Sequence, residues 1–163
     1  MKSKFARGLI ALLCAPFLAT AASPMTTPEE VAAAIDAEGA QTYLASLDEA
    51  SAERLFANIQ TGRASWVALA PKLAVGADAA NAEGLGIALA YALPKNSAAV
   101  LNAVAAADAG TPALAVSRVC GMPFIEGTPK QYRQKALRAV AAARGVMPSV
   151  RQRCLQALRT AKQ

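Results

Sequence analysis

Asp78-Ala-Ala-Asn-Ala-Glu-Gly-Leu-Gly-Ile-Ala-Leu-Ala-Tyr-Ala-Leu93 is the passage on which the fold turns. Leu85, Ile87, Ala88, Leu89, Tyr91, Ala92 and Leu93 leave no polar side after its first turn, and nothing alternates with the period of two that a strand requires. A helix that is apolar all round belongs in the middle of a helical bundle. Its apolar run, Gly84 to Leu93, has ten residues and stops at Pro94-Lys95, too short to cross a bilayer. Gly84-Leu-Gly86 has neither a third glycine nor a strand before it, so it reads as a close helix contact and not as a phosphate-binding loop.

Outward from this helix the chain is punctuated throughout. Thr27-Pro28-Glu29-Glu30 combines a capping threonine, a first-turn proline and a glutamate that reaches back to the cap. Thr111-Pro112 and Thr128-Pro129 repeat the opening, Ser46-Leu-Asp-Glu49 repeats the capping-box spacing, and Asp78 and Asn96 are further caps. Glycines 39, 62, 76, 110, 121, 127 and 145 fall where apolar periodicity lapses, the usual place of C-terminal caps. The pattern predicts helices over 28–38, 40–46, 48–61, 64–75, 79–93, 97–109, 112–120, 129–144 and 148–161, with Pro71 kinking or splitting the fourth. Alanine supplies 42 of 163 residues, which favours helix and close helix approach. The expected fold is all-α: a compact bundle of short antiparallel helix pairs, or their stacking into an α-α superhelix, with one disulfide.

The first residues form a secretory signal. Lys2, Lys4 and Arg7 precede a short apolar run and the small-residue site Ala19-Thr20-Ala21. The expected cut follows Ala21, leaving residues 22–163 as a single helical domain in the periplasm or outside the cell. Leu13 before Cys14 is too bulky for a lipoprotein site, so Cys14 is expected to leave with the signal.

Cys120 and Cys154 then remain, an even pair in an oxidising compartment, for which a disulfide is the expectation. Ala113, Val116, Val119 and Cys120 share one helix face, and Val150, Cys154, Ala157 and Ala161 form a stripe on the last helix, so both sulfurs face the core. The chain contains no histidine, which removes the usual zinc sets and the usual base for a cysteine nucleophile. Cys120 also sits at a helix end, where the dipole disfavours a thiolate. Between the cysteines lies Gly121-Met-Pro-Phe-Ile-Glu-Gly127, a loop rich in large apolar residues. Met122, Phe124 and Ile125 are either an exposed recognition loop or a plug over the core; the plug is expected, because burying each such side chain contributes about 1.5–3 kcal/mol.

Charge is divided between the two parts of the chain. Ser23 to Glu126 holds five basic and eleven acidic residues, whereas Gly127 to Gln163 holds nine basic residues and no acid. Either the two parts attract each other within one fold, or Lys130, Arg133, Lys135, Arg138, Arg144, Arg151, Arg153 and Arg159 form a basic surface for an acidic partner. Most carboxylates lie at helix starts, where capping accounts for them, and no catalytic constellation emerges. The expectation is a non-catalytic protein-interaction module of the adaptor, inhibitor or immunity type, needing no cofactor or metal and binding another envelope or secreted protein. The alternative gives the basic third to an anionic polymer or membrane surface, a weak contact because alanine offers little area for insertion. Nucleic acid is disfavoured by the compartment and by the lack of interleaved aromatics.

Overall fold

The computed structural model describes residues 27–107 and 111–161. The signal segment expected over residues 1–21, with Cys14 and the cut after Ala21, lies outside the described residues, as do Gly110 and the end of the helix expected over 97–109. Among the described residues there is no strand. The helices are α1 Pro28–Glu38, α2 Ala40–Ser46, α3 Glu49–Gln60, α4 Ala64–Val67, α5 Ala70–Gly76, α6 Ala79–Ala92 and α7 Ser97–Ala106. A 3-10 turn, Pro112–Leu114, leads into α8 Val116–Cys120, followed by α9 Tyr132–Ala142 and α10 Pro148–Thr160.

Side-chain caps start several of these helices where the sequence places them. Thr27 Oγ1 accepts from Glu30 N at 3.2 Å while Thr27 N donates to Glu30 Oε2 at 3.1 Å, a reciprocal box. Asp78 and Asn96 accept from Asn81 N and Ala99 N. The box expected at Ser46 does not form: Ser46 Oγ turns back to the Tyr43 carbonyl, and Asp48 caps α3 by accepting from Ser51 N at 2.7 Å. Those Ser51 hydrogen bonds hold the Asp48 carboxyl below its usual range. Pro71 splits the fourth expected helix into α4 and α5 and takes an early position in α5, where a missing amide hydrogen costs nothing.

The two later Thr-Pro openings behave differently. Thr111-Pro112 starts only the 3-10 turn, and extended backbone at Ala115 separates that turn from α8. Thr128-Pro129 starts no helix at all, because Gln131 is left-handed (φ 59°) and α9 begins after it.

Helix α6 packs against α3, α5, α7, α8 and the 3-10 turn. Leu85, Ala88, Leu89 and Ala92 are buried along it. Its two glycines are contact points: a Cβ on Gly84 would lie 2.8 Å from the Phe56 ring, and one on Gly86 would lie 2.9 Å from the Arg118 stem. Gly76 makes a tighter approach, where a Cβ would stand 2.2 Å from Gln41 N, so the end of α5 rests directly on the backbone of α2. Lys95 Nζ and Asn96 Nδ2, in the α6–α7 turn, donate to the Gln60 and Gly62 carbonyls at 2.6 and 2.9 Å and close the end of α3. The buried apolar residues from Val31 to Leu158 form one hydrophobic cluster.

Candidate interaction surface

The C-terminal third is assembled around the cysteines. Cys120 ends α8 and Cys154 sits midway along α10; both are fully buried, with sulfurs 2.00 Å apart and Cα atoms 5.3 Å apart, at disulfide distance. Gly121, which follows, accepts no substitute, since a Cβ there would meet the Ser117 carbonyl oxygen at 2.1 Å. Its own backbone is not left-handed. That conformation falls on Met122 (φ 60°), so Met122 and Gln131, the non-glycine left-handed residues among those described, bracket the loop. Each such residue costs about 1–3 kcal/mol and persists only where its surroundings impose it.

The surroundings here are aromatic. Met122 is buried, and Phe124 lies edge-on between Tyr91 of α6 and Tyr132 of α9, with ring centroids 4.8 and 4.6 Å away. Tyr132 is buried, and its hydroxyl donates to the Ala90 carbonyl at 2.8 Å. Pro94, four residues on, has no amide hydrogen, so the Ala90 carbonyl accepts instead from Leu93 N at 3.2 Å and takes the Tyr132 hydroxyl as a second donor. Met122 and Phe124 therefore act as the plug that the sequence suggests. Ile125 does not: it is 75% exposed, since the chain has already turned outward after Phe124.

Burial, with Tyr91 alongside, pushes the Tyr132 phenol well above its usual range. A raised folded pKa means that the unfolded chain loses the proton first. The resulting stability is complete below about pH 10, the ordinary tyrosine value, and declines as pH rises beyond it. Tyr132→Phe should lower stability at neutral pH by about 0.5–1.5 kcal/mol, by removing the buried hydrogen bond to the Ala90 carbonyl while Leu93 N still satisfies that oxygen. It should also flatten the alkaline decline, and urea unfolding between neutral pH and pH about 11 measures both effects.

The eight basic residues divide into two groups. Arg133 of α9 donates to the Ala161 carbonyl past the end of α10, and Arg151 of α10 donates to the Ala143 carbonyl past the end of α9 at 3.1 Å. These two are reciprocal clamps, half-buried and committed to the fold. Lys130, Lys135, Arg138, Arg144, Arg153 and Arg159 are exposed. Among the described residues none of the six makes an ion pair; the pair that does form, Lys72 with Asp36 at 2.6 Å, lies within the acidic part. Among the described residues, attraction between the two parts of the chain is not expressed as an ion pair.

An open groove of about 650 Å³ runs between α10, the end of α7 and the 3-10 turn with α8, and of the six exposed cations Arg153 lines it. No sequence signal marks it, because its walls come from separate elements. Among the described residues no cluster of acidic or cysteine side chains could hold a metal, and no helix is long and apolar enough to cross a membrane. No family model matches the chain, and neither a curated protein nor a solved structure does.

Proposed function

We propose that the chain is an exported, non-catalytic protein-interaction module, of the adaptor, inhibitor or immunity type, whose basic α9–α10 face binds an acidic partner in the periplasm or outside the cell. The observation that carries the reading is the set of six exposed cations without an ion pair among the described residues. A rigid base supports them: the cysteine pair joins α8 to α10, and the reciprocal arginine clamps join α9 to α10. Residues 22–163 act as one domain in this reading, and the helices pair antiparallel and stack as an α-α superhelix. The recurring contact of an element with the one three places on supports that arrangement: α2 with α5, α3 with α6, α4 with α7 and α7 with α10.

Crosslinking in the native envelope followed by mass spectrometry tests the function. One acidic protein should be recovered with the native chain and lost with Lys135→Glu/Arg138→Glu/Arg144→Glu. Recovery that is indifferent to charge reversal overturns the reading. Retention on heparin or anionic vesicles at low salt, lost in the same variant while no protein is recovered, transfers the face to the alternative, an anionic polymer or membrane surface.

A further inference from the structure

The groove beside α10 is open and lined mostly by apolar or small side chains. Met147, Val150, Arg153, Ala157 and Thr160 line it at intervals of three or four residues, so one stripe of α10 forms a wall along its whole length. Thirteen residues of helix give that wall a length of about 20 Å. Opposite stand Val104, Ala105, Ala107, Thr111, Ala115 and Val116, all apolar or small, which lets a second backbone come close. Met147 is 54% exposed at one end, a flexible apolar side chain suited to following a partner's contour. Arg153 is the charged residue of the lining.

We propose that this groove seats an acidic amphipathic helix of a partner protein, its apolar face on the accessible side chains of Ala105, Ala107, Ala115, Val116 and Met147 and a flanking carboxylate on Arg153. This rests on the basic third being the partner-binding face, and it names the partner's form. Charge chooses between occupants. Described residues from Thr111 to Ala161 carry nine cations and one acid, so a second copy presenting the same face is repelled. A flat membrane is a poor match, because the accessible apolar lining lies in a groove between α10, α7 and α8 and is mostly alanine, too little area to insert.

The test uses the intact disulfide-bonded chain and two synthetic helices of about 18 residues, long enough for the ~20 Å groove. Both carry leucine at helical spacing, with glutamate on the polar face of one and lysine on that of the other. Fluorescence anisotropy should show the glutamate helix binding and the lysine helix not. Met147→Glu/Arg153→Glu should weaken binding at least about tenfold, with no change in melting temperature because both side chains are exposed. Arg54→Glu on α3 should leave binding unchanged. Binding of both helices, binding of neither, or a groove variant that binds like the native chain overturns the inference. So does anionic-vesicle binding that depends on Met147 and Arg153. If the groove variant still captures the acidic protein from the envelope and Lys135→Glu/Arg138→Glu/Arg144→Glu does not, the groove assignment fails while the basic-face reading survives; loss of both assignments requires that neither variant matters.

Discussion

Replacing Cys120 and Cys154 together by alanine is expected to lower the unfolding free energy by about 3–4 kcal/mol, on the chain-entropy account of closing a loop. The two residues are 34 apart in sequence, and the pair, at disulfide distance, brings α8 and α10 together in a fully buried contact. Against a total stability of about 5–15 kcal/mol for a domain, that is a large fraction. The melting temperature should fall by roughly 10 °C. The urea dependence should steepen as well, because the unlinked chain exposes more surface when it unfolds. Intact mass before and after reduction checks the premise: two free thiols in the native protein would refute the pairing.

Leu89→Ala should have a comparable effect, about 2–5 kcal/mol. Leu89 is fully buried in the C-terminal part of α6, the helix that meets α3, α5, α7, α8 and the 3-10 turn. The cost of such a truncation depends on how far the surroundings can collapse into the space left. On α6 the residues that share its face, three and four positions away, are Leu85, Gly86, Ala92 and Leu93. Ile125→Ala provides the contrast: Ile125 is 75% exposed, so its loss should change stability by less than about 0.5 kcal/mol. Urea unfolding of the two variants side by side measures the difference.

What could be read from the chain alone follows the range of the forces involved. Thr27, Asp78 and Asn96 cap helices through hydrogen bonds to amides three residues on, so their effect is complete within one turn of sequence. The central place of α6 follows from composition in the same direct way. Gln131 and Met122 were not legible, because neither residue type favours left-handed backbone. Their conformation is imposed by Phe124 lying between Tyr91 and Tyr132, residues 33 and eight positions away. Thr128-Pro129 has a sound local helix signal that this distant packing overrides. The basic residues show the same division: their number is visible in the sequence, but the diversion of Arg133 and Arg151 to carbonyls on each other's helices depends on α9 and α10 lying side by side.

That reciprocal arrangement bears on how the protein moves. Each arginine closes the far end of its neighbour's helix, so neither helix can fray from that end without releasing a partner on the other. The Cys120–Cys154 link adds a third fixed point in the middle of α10. Local opening is thereby converted into a joint event, and the amides of α9 and α10 should exchange with solvent deuterium at one shared rate, as a single cooperative unit.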